Sequence, residues 1–197
     1  MNRIDNTFMK LHDQGKKALI PYIMAGDPSH EATKTYVIEL ETAGADIIEL
    51  GVPFSDPLAD GPTIQRAAER SLKNGTTLKN VLSLVKDIRE ISEIPLVLMT
   101  YFNPVFKFGI EAFVRDAVHN GVDGIIIPDL IPDEAGDLIK QAKRSGLSTI
   151  FLLAPTSTSD RIEKVSRASS GFIYYVSITG ITGSKLTTGN TMKNTLS

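Results

Sequence analysis

Short, unbroken apolar runs recur along the whole chain and constrain its fold more than any other feature. The runs are rich in Ile, Val and Leu and are continuous rather than alternating, which is typical of strands buried on both faces and therefore of parallel sheets. Six such runs predict strands: Ala18–Ala25, Ala45–Val52, Pro95–Tyr101, Gly124–Pro128, Thr149–Ala154 and Phe172–Ile178.

Helical patterns fill the intervals between the predicted strands. They cover Glu31–Thr42, Ile64–Leu72, Leu78–Ile91, Ile110–His119, Asp133–Arg144 and Asp160–Ala168. Ser29 and Ser159 are candidate N-caps, and Gly44, Gly121 and Gly146 are candidate helix stops. Asn2–Gln14 predicts an additional helix, which in a barrel could cover the bottom of the strands. Strand and helix in regular alternation indicate an α/β protein.

The residues alone do not decide between an open, doubly wound sheet and a sheet that curls into a barrel. The first predicted strand ends in Ala25-Gly26-Asp27-Pro28, and no G-x-G-x-x-G motif follows it. Because that motif forms the phosphate turn of dinucleotide-binding folds, its absence weakens the open nucleotide-binding alternative.

Composition excludes several classes of protein. The chain has 197 residues, of which 42% are hydrophobic, so one globular domain is expected. The net charge is −2 and the basic residues are scattered, which favours neither nucleic acid nor a bilayer as a partner. No apolar run is long enough for a membrane span, and the first residues lack the apolar segment of a signal peptide. We therefore expect a cytoplasmic protein, or a plastid protein whose transit peptide has been removed.

Metal and thiol chemistry are disfavoured for separate reasons. The chain contains no cysteine, which excludes disulfides, thiolate nucleophiles and cysteine–metal sites. His12, His30 and His119 are not spaced as ligand pairs, so they are interpreted as surface histidines. We expect no metal in this chain.

Glu49 is the most informative single residue. Side chains alternate along a strand, so if Ile48 and Leu50 face the helices, Glu49 faces the interior of the sheet. Burial of an ionised carboxylate costs several kcal/mol unless the group is paired or protonated, and no predicted strand carries a Lys or Arg as a partner. A desolvated Glu near the carboxyl end of its strand would have a raised pKa suited to proton transfer near neutral pH.

The loop that follows, Pro53–Pro62, contains three prolines and two carboxylates, Asp56 and Asp60. Two interpretations of these acids stay open. Asp60 could cap the next helix, or Asp56 or Asp60 could overhang the mouth of the sheet and assist Glu49.

The run from Ile48 to Pro62, IELGVPFSDPLADGP, closely resembles the characteristic segment of tryptophan synthase alpha chains. Further segments match that family in order: Pro21–Pro28, Met99–Pro104, Gly121–Gly124, Pro128–Leu130 and Gly180–Gly183. The resemblance implies a (β/α)8 TIM barrel, of which this chain holds about six βα units. It also implies a lyase that cleaves indole-3-glycerol phosphate to indole and glyceraldehyde 3-phosphate in tryptophan biosynthesis.

The resemblance also implies roles for individual residues. Glu49 matches the acid–base residue, and Asp60 matches the carboxylate that accepts the indole N–H and stabilises the charge developing on the ring. Residues implied to bind substrate are Tyr22, Leu98, Tyr101, Ile126, Tyr174, Thr182 and Gly183, although a plain core role is equally consistent with Leu98, Tyr101, Ile126 and Tyr174.

Family members work with a beta chain in an alpha2beta2 complex, and the resemblance implies that partner here. Pyridoxal phosphate is expected only in the beta chain and no cofactor in this one. The docking surface is expected to include the loop matching Pro53–Gly61 and the stretch around Asn103 and Pro104.

The match fades after Ser184, so residues 1–184 are expected to form an incomplete barrel and residues 185–197 a polar, disordered tail. Family members continue for two more βα units that hold most of the substrate phosphate, which predicts weak activity for this chain alone. A non-catalytic form that binds or modulates the beta chain is therefore an alternative. A third hypothesis is a different phosphate-binding barrel enzyme, such as an isomerase or aldolase, but a Schiff-base aldolase would need an inward lysine that no predicted strand offers.

Overall fold

The computed structural model describes residues 2–58 and 60–176 of the chain. Its helices are α1 (Arg3–Asp13), α2 (His30–Thr42), α3 (Pro62–Lys73), α4 (Leu78–Arg89), α5 (Phe102–Phe108), α6 (Ile110–His119), α7 (Gly136–Ser145) and α8 (Ser159–Ala168). Its strands are β1 (Tyr22–Met24), β2 (Ile48–Gly51), β3 (Leu96–Met99), β4 (Gly124–Ile126), β5 (Ser148–Ile150), β6 (Leu152–Leu153) and β7 (Tyr174–Tyr175).

The strands follow one another in space as they do along the chain. Strands β1 to β5 form a parallel sheet in the order β1-β2-β3-β4-β5, and β6 pairs in parallel with β7. A doubly wound sheet reverses its strand order at a switch point and so places helices on both faces. No such reversal occurs in the described sheet, so right-handed crossovers place the connecting helices on one face, as in a barrel.

Two separate apolar layers confirm this arrangement. Ile48, Leu50 and Leu98 belong to a large buried cluster that includes side chains from helices α2, α4, α6, α7 and α8. Ile47 and Val97, which alternate with them along the same strands, belong to a second, smaller buried cluster. The sheet therefore has an outer face covered by helices and a concave inner face with its own core, as the barrel expectation requires.

Helix α1 closes the amino edge of the inner core. The side chains of Asn2 and Asp5 form a capping box at its start, and Ile4 is fully buried within the inner cluster. The Asn2 side-chain amide donates to the backbone oxygen of Asp123 and to Ser148 Oγ, at 3.0 and 2.7 Å, just before β4 and at the start of β5. The predicted extra helix that covers the bottom of the strands is confirmed.

Local details correct several sequence expectations. Ser29 caps α2 as expected, whereas α8 is capped by Thr158, whose Oγ1 accepts from the Arg161 backbone N–H, and not by Ser159. The run predicted as one strand, Thr149–Ala154, is divided at Phe151 into β5 and β6. Helix α5 was not predicted, because a seven-residue helix that contains Pro104 in its first turn resembles a loop in sequence. Helix α7 begins at Gly136 and not at Asp133.

Candidate active site

Glu49 points into the concave face of the sheet. Strand β2 is in register with both neighbours, so Glu49 lies beside Tyr22 on β1 and Val97 on β3. It is only 5% exposed, and it shares its face with Ile47 of the inner cluster, whereas Ile48 and Leu50 pack against the helices. The direction predicted for Glu49 is confirmed.

The Glu49 carboxyl is desolvated without being neutralised by a cation. Within residues 2–58 and 60–176 no ion pair or hydrogen bond to its carboxyl group is formed, and burial raises its pKa from 4.5 to about 7. A carboxyl group with this pKa exchanges its proton readily at neutral pH, so it is suited both to donate and to accept a proton in one reaction.

Asp60 is the second carboxyl group of the site. It is half-buried on the loop after β2, and its pKa is raised by burial and lowered, to a smaller extent, by a hydrogen bond from the Tyr101 side chain. Its backbone oxygen accepts from the Gln65 side-chain amide at 2.7 Å, which fixes the end of the loop to the first turn of α3. The N-cap of α3 is Gly61, so the interpretation of Asp60 as a helix cap is wrong and its carboxylate is available to the pocket.

Asp56, the alternative acid on this loop, has a different environment. It is exposed and accepts a hydrogen bond from the neighbouring Ser55 hydroxyl. Asp60 and Glu49 both act on the Tyr22 phenol, whereas no described residue interacts with both Asp56 and Glu49, so Asp60 is the loop acid that belongs to the group around Glu49.

Tyrosines surround the two acids. Burial raises the pKa of the Tyr22 phenol, and the negative charges of Asp60 and Glu49 raise it further, so this hydroxyl stays protonated beside both carboxyl groups. The pKa of Tyr174 on β7 is likewise raised by burial and by Glu49. Tyr101, two residues after β3, is buried, with its ring 5.3 Å from that of Phe54 on the loop after β2. These rings and carboxyl groups form one group of interacting side chains, the cleft, at the carboxyl ends of the strands, where barrel enzymes place their active sites.

The pocket wall differs from expectation at one position. Leu98 is fully buried, but it is in register with Leu50 and packs in the cluster between sheet and helices. Because side chains alternate along β3, the residue that faces the interior is its neighbour Met99, which packs with the inner cluster together with Ile126. The assignment of Leu98 to the pocket is therefore wrong by one residue, whereas Ile126 has the expected orientation.

Two residues of the cleft were missed in the sequence: Met99 and Phe54. Gly51 was expected to face inward by alternation with Glu49, but no role in the site was assigned to it. The ring contact of Phe54 depends on the path of a loop, which no periodicity reveals. Thr182 and Gly183, the residues expected near the substrate phosphate, lie outside the described residues, as does the tail predicted for residues 185–197.

The histidines take no part in this cleft. His12 and His119 are exposed, and His30 is half-buried with its ring nitrogen Nε2 3.1 Å from Thr76 Oγ1. In the described part of the chain, no three His, Asp or Glu side chains converge as a metal site would require. In that same part, every helix is too short or too polar to cross a membrane.

Comparison with known proteins agrees with this geometry. The family model described as "Tryptophan synthase alpha chain" matches residues 8–197. The tryptophan synthase alpha chain of Geotalea daltonii is 58% identical over 185 residues, which are 94% of this chain and 70% of that protein. The alpha chain of Geobacter sulfurreducens is 51% identical, with the same coverage of 94% and 70%.

Solved structures show the same similarity. The alpha subunit of Legionella pneumophila superposes with a TM-score of 0.88 at 44% identity, covering 90% of this chain and 68% of that one. A tryptophan synthase structure from Mycobacterium tuberculosis superposes with a TM-score of 0.88 at 40% identity, covering 94% and 72%. The family match extends over all the strands that carry the cleft, and this chain is a member of the tryptophan synthase alpha chain family.

Proposed function

We propose that this chain cleaves indole-3-glycerol phosphate to indole and glyceraldehyde 3-phosphate, the alpha reaction of tryptophan biosynthesis. The observation that carries the proposal is the Glu49 carboxyl group, which is buried, has no cationic partner among residues 2–58 and 60–176, and has a pKa raised to about 7. Family membership supplies the substrate, and the geometry supplies an acid–base group in a suitable environment for it.

The reaction needs two proton movements that balance each other. A proton added to indole C3 makes the ring cationic, and removal of the proton from the hydroxyl on the adjacent carbon turns that carbon into an aldehyde. The electrons of the breaking carbon–carbon bond return to the ring and neutralise it. In this proposal Glu49 donates the first proton and accepts the second, so it is regenerated at the end of each turnover.

Asp60 acts on the ring nitrogen in this scheme. Its carboxylate accepts the indole N–H and stabilises the positive charge that develops after protonation at C3. The hydrogen bond from Tyr101 opposes the effect of burial on the Asp60 pKa, which favours the ionised form that this role requires.

The remaining cleft residues provide the walls of the indole pocket. Tyr22, Tyr101, Ile126 and Tyr174 supply mostly apolar surface around the two acids, and Met99 takes the place that was expected of Leu98. Thr182 and Gly183, outside the described residues, are assigned by family resemblance to the segment that meets Asp60 and the substrate phosphate.

Release of indole from indole-3-glycerol phosphate tests the proposal. Glu49→Gln keeps the shape of the side chain and removes its proton transfer, and we expect the rate of release to fall by about 100-fold or more. Glu111→Gln, a matched change of an exposed Glu on α6, should leave the rate unchanged. Equal rates for the wild-type chain and Glu49→Gln would overturn the assignment of Glu49.

We further propose that the chain binds a pyridoxal-phosphate-dependent beta chain through the carboxyl edge of its sheet, in an alpha2beta2 complex located in the cytoplasm or the plastid stroma. Exposed apolar side chains support this surface: Leu58 follows β2 and is 80% exposed, Phe106 follows β3 and is 65% exposed, and Ile131 follows β4. Exposed apolar side chains grouped at one edge are typical of a protein interface. A relative of known structure, from Pyrococcus furiosus, was solved as a tryptophan synthase complex.

A pair of matched variants tests this surface. Phe106→Lys should weaken binding to the beta chain by about tenfold or more, because it places a charge in an apolar contact. Ile91→Lys introduces the same charge at an exposed apolar position beyond α4 and should bind normally. Isothermal titration of the beta chain distinguishes the two, and equal affinities would contradict the proposed surface.

The alternative of a non-catalytic chain that only binds or modulates the beta chain is not favoured, because Glu49 and Asp60 interact with the same tyrosine, Tyr22, in one cleft.

A further inference from the structure

Gly51 lies where the cleft has no room for a side chain. It is the last residue of β2, two residues after Glu49, and it therefore faces the same interior space. A Cβ atom added to Gly51 would lie 2.0 Å from the Tyr22 hydroxyl oxygen, 2.6 Å from Cζ and 3.0 Å from Cε2 of the same ring. All three of these nearest atoms belong to one side chain, so the space over Gly51 is filled by the Tyr22 phenol.

The strand register shows how the phenol reaches this position. Tyr22 is in register with Glu49, and Gly51 is in register with Met24. The Tyr22 side chain therefore leans along the strand direction by about one inward-facing position, across the neighbouring strand. Its ring passes beside the acid–base residue and ends above the glycine, at the mouth of the sheet.

Backbone conformation does not explain the glycine. Gly51 is not among the glycines with positive φ, so its backbone would accept an L-residue. The requirement at this position is for space alone, and the space is used by a side chain of the binding pocket.

A larger residue at position 51 would displace the Tyr22 ring from its present place. On the side of α3, Tyr22 packs with Met24, Ala67 and Ala68, and Tyr22, Met24 and Ala67 also line a cavity of about 230 Å³. Because the ring lies beside Glu49, its displacement would change the width of the space that is left for the substrate ring.

We propose that Gly51 is a specificity-determining residue: by having no side chain, it lets the Tyr22 phenol lie flat along the wall of the cleft and so sets the width of the slot for a planar indole. This inference rests on the proposed function, because it assumes that indole occupies the cleft. Gly51 is a positioning residue, since it acts through Tyr22 and does not touch the reacting atoms.

A double-mutant cycle tests the coupling. The variants are Gly51→Ala, Tyr22→Leu and the two combined, with Gly136→Ala and Tyr36→Leu as matched controls. Gly136 starts α7 and has open space where its Cβ would be, and Tyr36 is an exposed tyrosine on α2. The probe is an uncleavable indole-3-alkyl phosphate that lacks the glycerol hydroxyls. Its indole fluorescence reports binding directly, because the protein contains no tryptophan.

Gly51→Ala should weaken probe binding by about tenfold in the wild-type background, from the overpacking that the new methyl group causes. In the Tyr22→Leu background the same change should have less than about a twofold effect, because the clashing ring is gone. A second probe carries a methyl group on the benzene ring of its indole. Tyr22→Leu should raise the affinity for this methylated probe relative to that for the unmethylated probe. A purely structural role of Tyr22 would leave the ratio of the two affinities unchanged.

Distinct results overturn the two proposals. If Gly51→Ala binds the probe as Gly136→Ala does, or is equally harmful with Leu at position 22, the role of Gly51 is rejected while the proposed function stands. If the wild-type protein neither binds the probe nor releases indole, the proposed function is rejected. Thermal unfolding without ligand still tests the steric coupling in that case: the melting temperature of Gly51→Ala should fall, and it should be restored in the double variant relative to Tyr22→Leu.

Discussion

Arg89 and Asp123 form a buried ion pair that joins helix α4 to the amino edge of the sheet. Arg89 Nη2 lies 2.7 Å from Asp123 Oδ2, and the two side chains are only 10% and 3% exposed. Asp123 also accepts from the backbone N–H of Leu96 at the start of β3, and its second oxygen accepts from Arg3 of α1. One carboxylate therefore connects two helices and a strand at the edge opposite the active site.

Loss of the Asp123 charge should be strongly destabilising. Burial lowers the pKa of Arg89, and Asp123 opposes that shift, so Asp123→Asn would leave a desolvated guanidinium without its counter-charge. We expect the free energy of unfolding to fall by about 3–5 kcal/mol, measured by urea denaturation. Glu93→Gln is the control, because Glu93 pairs with Arg3 at an exposed position and its loss should change stability little. Equal effects of the two substitutions would show that burial of the pair does not govern its contribution.

The raised pKa of Glu49 makes stability depend on pH. Glu49 has a pKa of about 7 in the folded protein against an ordinary value of 4.5, so between these two pH values the unfolded chain releases a proton that the folded protein retains. The contribution of the Glu49 carboxyl to the free energy of unfolding is fully present below pH 4.5 and is lost as the pH rises through 7. At about 1.4 kcal/mol per pH unit, the full loss is roughly 3 kcal/mol.

Glu49→Gln should remove this dependence. Between pH 5.5 and 8.5 the free energy of unfolding of the wild-type protein should fall by about 2 kcal/mol relative to that of Glu49→Gln. In most of this interval the Glu49 carboxyl of the folded protein holds more proton than that of the unfolded chain. Urea denaturation at several pH values measures the difference. Glu111→Gln should follow the wild-type curve, and parallel curves for the wild type and Glu49→Gln would mean that the buried carboxyl keeps an ordinary pKa.

Tyr101 should assist catalysis through Asp60. Tyr101→Phe removes the hydroxyl that bonds Asp60 and leaves the ring in contact with Phe54, so the Asp60 pKa should rise further and less of the ionised form should face the indole N–H. A hydrogen bond to a charged group contributes about 1.5–3 kcal/mol, which predicts a fall in kcat/KM of roughly 10- to 100-fold. Raising the pH should recover part of the loss.

Phe54→Leu is the matched control for this prediction. It removes the ring contact and keeps the Tyr101 hydroxyl, so its loss of activity should be smaller and independent of pH. A pH-independent loss in Tyr101→Phe would indicate that the tyrosine serves only as apolar wall.

Periodicity predicted the inward direction of Glu49 and the approximate positions of the strands, apart from the division of Thr149–Ala154 into two, because burial of a strand and the alternation of its side chains are local properties. The same alternation places Leu98 outward, in register with Leu50. The error at Leu98 arose because the residue was assigned by matching short family motifs. Such a match does not determine which of two neighbouring residues in a strand faces the pocket.

The relationships between elements were not accessible from the sequence. The contact between Phe54 and Tyr101 joins two loops, and the clash that fixes Gly51 as glycine involves a ring from a neighbouring strand. That Gly61 and not Asp60 is the N-cap likewise depends on where α3 begins. Each depends on the relative position of segments that are distant in sequence, which propensity and periodicity do not encode.

Gly26, just after β1, combines a special backbone conformation with a lack of space. Its φ of +79° lies in the left-handed region, and an added Cβ would lie 2.3 Å from Thr76 Oγ1 and 2.6 Å from Ser71 Oγ. Neither hydroxyl is free to move, because Thr76 Oγ1 is paired with His30 and Ser71 Oγ donates to the Ala25 backbone oxygen at 2.6 Å.

Gly26→Ala should therefore lower the free energy of unfolding by more than the cost of placing an alanine in the left-handed region alone. Gly15→Ala provides the comparison: Gly15 has a similar φ of +64° but open space around its Cβ position, so that variant should lose only about 1–2 kcal/mol. Overpacking adds about 1–3 kcal/mol at Gly26, and the sum should appear as a lower urea midpoint. Combining Gly26→Ala with Thr76→Ala removes the nearest oxygen and should recover part of the steric cost, whereas the left-handed strain should persist. Equal losses at positions 15 and 26 would show that the strand end adjusts its packing and that only the backbone conformation matters.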